Sequence, residues 1–363
     1  MKRSAGIFAL GLAVLFGSAC GRKGPLQPPA AREPKPAESL AAFQRGGSVI
    51  LEWTNPSKYI DGRPLDAAGA ATELWILDSG PETGTRPPAL KDFEARARPA
   101  RRIAPGEARP IPAGVSGAVM FAYPLAEGLA GHRTLAFSVR VLDARGRPSK
   151  LCPPVLVETR ICPLPPVMRD VRVFADHIEI SWTPPAANID GSSPAAVAGY
   201  MVYRSEGSVE PEKLTPLPTS GPSFEDRRFQ FGTSYAYFVR ALASGGDSGL
   251  ESDDSAVRAV VPRDSFPPNP PAGLVAVSGL GVISLSWDPV REGDLAGYRV
   301  WKKEEGQPEF TPLTQGLLPG SAFTDPAVQK GKSYVYAVSA KDKSGNESPK
   351  TETGPVSLKG SRA

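Results

Sequence analysis

Ile283-Ser284-Leu285-Ser286-Trp287 and, after a loop, Gly297-Tyr298-Arg299-Val300-Trp301 alternate apolar with polar side chains. Alternation with a period of two gives a strand one dry face and one wet face. Near-copies stand upstream as Ile178-Glu179-Ile180-Ser181-Trp182 with Gly199-Tyr200-Met201-Val202-Tyr203. A fainter pair is Val49-Ile50-Leu51-Glu52-Trp53 with Leu74-Trp75-Ile76. Three copies of one β module therefore make up most of the chain.

The rest of the composition agrees with short strands and many turns. The 363 residues include 40 prolines and 37 glycines, and the length suffices for two or three separate cores. A net charge of +4, from 42 basic and 38 acidic residues, gives no reason to expect nucleic acid as a partner.

The N-terminus reads as an address. Lys2 and Arg3 precede an apolar run, Ile7 to Phe16, too short for a stable membrane span. Gly17-Ser18-Ala19 then precede Cys20. This resembles the lipobox of bacterial lipoproteins, with Gly17 where that family usually carries an aliphatic residue. The resemblance implies a signal peptide over residues 1–19 and acylation of Cys20. The competing reading is an ordinary signal peptide cut after Ala19; the lipoprotein is preferred, because a free thiol at a new N-terminus is a liability. Cys20-Gly21-Arg22-Lys23-Gly24-Pro25-Leu26 resembles the mature start of small Gram-negative outer-membrane lipoproteins, some associated with the lipopolysaccharide translocon. That implies a lipid-anchored outer-membrane address, and two or more acyl chains would make residence lasting. Prolines 25, 28, 29, 34 and 36 make residues 20–37 a semi-rigid stalk.

Three folded segments follow: 38–161, 162–263 and 264–360. In the second and third, a tryptophan ends an early strand (Trp182, Trp287). A later strand carries Tyr235-Ala236-Tyr237-Phe238-Val239-Arg240-Ala241 or Tyr334-Val335-Tyr336-Ala337-Val338-Ser339-Ala340. Seven short strands with these marks resemble the fibronectin type III domain. The resemblance implies an all-β fold of three tandem immunoglobulin-like β-sandwiches, with Trp182 and Trp287 between the sheets. It also implies that Tyr235 and Tyr334 are buried corners whose hydroxyls reach back to upstream backbone. The first segment diverges: Leu135 replaces that tyrosine, and an insertion over 81–112 lengthens the middle.

Between Arg86 and Arg109 the insertion holds seven basic residues against Asp92, Glu94 and Glu107. An anion-binding arm built on Arg96, Arg98, Arg101 and Arg102 is one reading. A solvated loop of weak structure, with two turns of helix between Ala89 and Arg98, is the preferred one. Tyr203 and Trp301 follow the strand tyrosines by three residues and fall on the outer sheet face, beside Arg204 and Lys302. They are either surface contacts for protein or glycan, or cover for a neighbouring strand; cover is preferred for each alone.

Catalytic and metal-binding sets are not expected. Gly245-Gly246-Asp247-Ser248-Gly249 has the residues of a protease nucleophile loop, but it also suits a turn, and the chain has only His132 and His177. Asp61, Asp190 and Asp342 sit in turns, without the converging oxygens calcium needs. Two histidines offer no zinc constellation. An extended chain between Cys152 and Cys162 would separate them by roughly 30 Å, against a disulfide, while Pro153-Pro154 could turn it back. The expectation is a non-catalytic lipoprotein without cofactor, acting in adhesion, scaffolding or spacing. Its partners would be membrane lipid through Cys20 and envelope proteins or glycans. The alternatives are an assembly partner of the lipopolysaccharide translocon and a carbohydrate-binding module.

Overall fold

The computed structural model describes residues 32–66, 69–81, 86–111, 116–126, 131–207, 210–245 and 249–358. Cys20, the signal segment and most of the stalk lie outside the described residues. No helix among the described residues is long and apolar enough to cross a membrane. The chain forms two compact units: residues 1–43, 49–123 and 133–159, and residues 44–48, 124–132 and 160–363.

The first sandwich is built from β1 (Glu38–Arg45), β2 (Ser48–Thr54), β3 (Ala71–Asp78), α1 (Leu90–Arg96), β4 (Arg98–Ile103), β5 (Arg109–Pro110), β6 (Ala118–Pro124), β7 (Arg133–Leu142) and β8 (Val155–Thr159). The strands make two sheets, in the orders β1-β2-β6-β5 and β4-β3-β7-β8. Alternation predicts the inward residues correctly: Val49, Leu51, Trp53, Leu74, Phe137, Val139 and Val141 are buried. Leu135, at the divergent corner position, is also buried. The Trp53 indole N–H donates to Asn55 Oδ1 at 2.9 Å. After β7, Asp143 Oδ1 accepts from the backbone N–H groups of Arg145 and Arg147, both at 2.9 Å. Its Oδ2 takes the Tyr59 hydroxyl at 3.0 Å and the Arg147 guanidinium at 2.6 Å. Burial alone would raise this carboxyl, but the Arg147 and Tyr59 hydrogen bonds prevail and hold it down at about 2.

The insertion is more ordered than the preferred loop reading. Leu90–Arg96 is helical, as the two-turn expectation has it, and Arg98–Ile103 is an edge strand on β3. Phe93 and Ile103 explain this, being 0% and 1% exposed. Phe93 packs with Leu77, Ala136 and Leu151, so the helix covers the outer face of the β3–β7 pair. An apolar anchor at each end of the segment supplies the burial that its arginines and prolines do not.

The second unit holds two sandwiches. One contains β9 (Val167–Val173), β10 (Ile178–Thr183), β11 (Val197–Glu206), β12 (Glu212–Lys213), β13 (Ser223–Asp226), β14 (Tyr235–Ala243) and β15 (Arg258–Val260), in sheets β13-β10-β9 and β12-β11-β14-β15. The other contains β16 (Val275–Ser278), β17 (Ile283–Ser286), β18 (Leu295–Glu304), β19 (Thr311–Pro312), β20 (Ala322–Asp325), β21 (Ser333–Asp342), β22 (Thr351–Glu352) and β23 (Val356–Ser357). Its sheets run β16-β17-β20 and β19-β18-β21-β22, with β23 also on β21. The chain is therefore an all-β protein of three tandem fibronectin type III-like sandwiches. Trp182 and Trp287 belong to the two cores, each beside a tyrosine at 5.2 and 5.3 Å respectively. The corner hydroxyls accept as expected: Gln230 N–H donates to Tyr235 at 3.0 Å and Gln329 N–H to Tyr334 at 3.2 Å.

A polar tie crosses between the sheets of each of these two sandwiches. Tyr237 Oη donates to Asp226 at 2.8 Å, and Arg204 Nη1 reaches the same oxygen at 2.8 Å. Tyr336 Oη donates to Asp325 at 2.7 Å, with Lys302 Nζ also at 2.7 Å. The cations lie over the corner rings, Arg204 5.0 Å from Tyr235 and Lys302 4.2 Å from Tyr334. Both aspartates are 2% exposed or less. This corrects the placing of Arg204 and Lys302 beside the outer aromatics: neighbouring residues on a strand point to opposite faces, and these two turn inward.

Two outcomes follow. Lys302→Met strands a buried carboxylate and should cost about 3 kcal/mol, whereas Tyr336→Phe, which leaves the ion pair, should cost about 1 kcal/mol in denaturant titration. Asp143 has its folded value depressed from 3.8 to about 2, so its contribution is present above pH 3.8 and lost as pH falls through about 2. Acid titration of the first unit should show that loss, and Asp143→Asn, weaker at pH 7, should lack this part of the dependence.

Candidate functional site

Each sandwich carries an aromatic at one matching position on the outer face of its central strand pair, and the ladder register aligns the three. Trp75 lies opposite Ser138, Tyr203 opposite Phe238 and Trp301 opposite Ala337. Two residues earlier on the same strands, Glu73 faces Arg140, Met201 faces Arg240 and Arg299 faces Ser339. In every case an arginine lies over the ring: Arg140 at 5.0 Å from Trp75, Arg240 at 4.4 Å from Tyr203 and Arg299 at 5.6 Å from Trp301. A glutamate holds each arginine, Glu73 at 2.6 Å, Glu251 at 2.8 Å and Glu347 at 3.1 Å.

Tyr203 is covered. It is 7% exposed, stacks on Phe238 at 4.9 Å and donates its hydroxyl to Glu251 at 2.7 Å. Lys213 Nζ bonds the same glutamate at 3.0 Å, and Asp254 takes the other side of Arg240 at 2.5 Å. Burial and the Glu251 carboxylate both raise the Tyr203 phenol. The reading of Tyr203 as a surface contact is thus corrected: a partner would have to displace a packed, charge-paired cluster to reach the ring. Trp301 is half-buried, donates its indole N–H to Ser339 Oγ at 2.9 Å and has Lys350 Nζ 4.1 Å from its ring centre. Trp75 sits beside the α1 cluster, and its buried indole N–H has no partner among the described residues.

The four insertion arginines occupy an exposed edge. Arg96 ends α1, Arg98 opens β4, and Arg101 and Arg102 lie opposite Leu74 and Glu73. Arg101 is taken by Glu107 at 2.6 Å, and Glu107 also accepts Ala104 N–H at 2.9 Å. The sequence points to this cluster but not to the ion pair that engages Arg101 and leaves Arg96, Arg98 and Arg102 without one among the described residues.

The remaining chemistry-bearing groups serve their own turns. Asp61 binds Arg63, and Asp190 Oδ1 accepts Ser192 N–H at 3.0 Å. Carboxylate oxygens of Asp264, Asp294 and Asp342 lie within 4.8 Å of one another, a grouping that sequence spacing does not reveal. Asp342 accepts the Asn346 N–H and Nδ2, both at 2.8 Å, and Asp264 accepts Ser344 Oγ at 2.7 Å. His177 Nδ1 lies 2.7 Å from Asp176 and its ring stacks on Phe174. His132 and Gly245 border one open cleft in the second unit with Asn188 and Ser192, while Gly246 to Ser248 lie outside the described residues. Cys152 and Cys162 are free and buried, and burial pushes the Cys162 thiol up to about 12.

No family model matches the chain. It is 34% identical over 86 residues to an amylopullulanase of Thermoanaerobacterium saccharolyticum, covering 24% of this chain and 6% of that protein. It is 30% identical over 193 residues to the cardiac-type myosin-binding protein C of Mus musculus, covering 52% of this chain and 14% of the relative. Human myomesin-2 is 27% identical over 226 residues, with 50% and 14% covered. The chain thus spans no more than 14% of the length of these relatives. Among solved structures, the chicken CNTN1 FN1-FN3 domains align with 90% of this chain and 99% of theirs, at 14% identity and a TM-score of 0.25.

Phe93 is the most informative residue to remove. Phe93→Ala should destabilise the first unit by about 3 kcal/mol, read from its denaturant midpoint, and Phe93→Leu should restore most of it.

Proposed function

We propose that the chain is a non-catalytic, membrane-anchored lipoprotein whose tandem fibronectin type III-like sandwiches act as a scaffold, spacer or adhesion device. The observation that carries the scaffold part is the pairing of outer-face groups. Arg140 with Glu73 and Trp75, Arg240 with Glu251 and Tyr203, and Arg299 with Glu347 and Trp301 stiffen each sandwich. Charge-paired, packed surfaces of this kind suit a part that keeps its shape while it bridges or spaces other components. Repeated modules also let weak contacts add through multivalency.

The anchor rests on the Gly17-Ser18-Ala19-Cys20 stretch and the proline-rich segment behind it. Acyl chains on Cys20 would hold the chain at the outer membrane, and the stalk would lift the sandwiches from it. The resemblance of Cys20 to Leu26 to small outer-membrane lipoproteins favours a second, narrower reading, an assembly partner of the lipopolysaccharide translocon. The glycan-binding alternative has less support, since of its two aromatics Tyr203 is covered and Trp301 keeps partial exposure.

In a Gram-negative host fed labelled palmitate, the intact chain should carry label and sediment with the outer membrane. Cys20→Ala should carry none and appear in the soluble fraction. Label-free membrane residence of the intact chain would remove the lipoprotein reading. Loss of translocon co-purification on deleting residues 21–30 is the outcome expected for the narrower one.

A further inference from the structure

The α1–β4 edge gathers positive charge on a helix and an edge strand. Residues 86–111 carry seven basic and three acidic side chains, a net of +4, equal to the formal net charge of all 363 residues. The remaining residues sum to zero, the basic excess before Glu38 being offset by acids later in the chain. The 86–111 segment is anchored by Phe93 and Ile103, so its arginines are held on ordered backbone.

The acids nearby are already committed. Glu73, opposite Arg102 on the ladder, is bound to Arg140 at 2.6 Å. Asp78, whose carboxyl burial would raise but Arg133 holds below the usual range, pairs with Arg133 at 2.6 Å and also feels Arg98. Glu107 neutralises Arg101. Arg96, Arg98 and Arg102 are exposed, and no carboxylate claims them among the described residues. Arg102 lies opposite Glu73 and Arg98 opposite Ile76, with a register shift between them, so the two flank the open edge of β4 from its two faces, and Arg96 stands just before them at the end of α1. β4 is also the outer strand of its sheet, which leaves one row of its peptide groups unpaired there.

We propose that Arg96, Arg98 and Arg102 form a binding edge for a linear polyanion carrying repeated phosphate or sulfate groups. Exposed cations set on both sides of one open strand edge match anions repeated along a chain better than one isolated anion, which would meet a single guanidinium. Arginine suits the task because its planar fork gives two parallel hydrogen bonds to each phosphate or sulfate. Order imposed by Phe93 and Ile103 lowers the entropy lost on binding. The site does not depend on acylation of Cys20.

The test uses the full chain carrying Cys20→Ser, so that acyl chains add nothing. Its probes are inorganic polyphosphate, orthophosphate, and phosphatidylcholine vesicles containing phosphatidylglycerol. Polyphosphate should bind, and the logarithm of affinity should fall linearly with that of salt concentration. The triple variant Arg96→Gln, Arg98→Gln, Arg102→Gln should bind at least 10-fold more weakly, with a salt slope shallower by about one per arginine. The matching triple lysine variant should keep binding within a few-fold. A control with Arg145→Gln, Arg258→Gln and Arg291→Gln, which removes equal charge elsewhere, should change affinity less than twofold. Equal losses in both glutamine triples would overturn the site in favour of net charge alone. Orthophosphate competing as well as polyphosphate, phosphate for phosphate, would overturn the linear ligand. Binding to vesicles without binding to polyphosphate would assign the edge to a lipid surface instead.

Discussion

A buried carboxylate holds the two best-formed sandwiches together. Asp226 and Asp325 stand on the smaller sheet, and the tyrosine and cation that satisfy them stand on the larger one. A carboxylate taken out of water is costly unless it is paired and hydrogen-bonded, so the tie fixes how the sheets face each other as well as how closely they pack. Burial raises the Tyr237 and Tyr336 phenols, and their aspartate neighbours raise them further, keeping the hydroxyls as donors. The first sandwich does without this device. Phe137 stands at the register position of Tyr237 and Tyr336, Ile76 at that of Arg204 and Lys302, and Phe137 meets Tyr123 edge-on at 5.8 Å. Apolar contact there replaces a directional polar one.

How far the sequence could be read follows from which interactions are local. Strand periodicity, the core tryptophans and the corner tyrosines all act within a few residues or on one strand face, and these were legible. The corner hydroxyls of Tyr235 and Tyr334 reach only five residues back. Long-range cover was not legible. Tyr203 depends on Glu251, 48 residues away, and on Arg240 of the adjoining strand, so its three-residue offset from Tyr200 reveals the face but not the burial. Arg98 to Ile103 offered one large apolar residue in six and two neighbouring arginines, a weak strand signal. Pairing with β3 decides that segment, and pairing is not written in its own residues. The same holds for Phe93, whose partners Leu77, Ala136 and Leu151 lie on other elements.

The outer-face clusters show how one geometry accepts different side chains. What recurs is an aromatic ring, an arginine above it and a glutamate holding the arginine. The ring is indole in the first and third sandwiches and phenol in the second. The glutamate comes from the ladder itself in the first sandwich and from the segment after the long strand in the others. Register makes such exchange possible, because directly opposed residues on an antiparallel pair touch whichever strand supplies them.

That freedom bears on how tandem copies avoid exchanging strands with one another, a hazard of adjoining similar modules. Arg240 comes from β14, but Arg299 comes from β18, which corresponds to β11. A hybrid pairing β18 with β14 would set Arg299 directly opposite Arg240, two like charges facing across one ladder position beside Trp301 and Phe238. The reciprocal hybrid, β11 with β21, would set Met201 opposite Ser339 and leave Tyr203 with no arginine. Moving one charge across a ladder penalises one hybrid through opposed like charges and strips the other of its cation, so the two sandwiches are alike in architecture yet mismatched as spare parts.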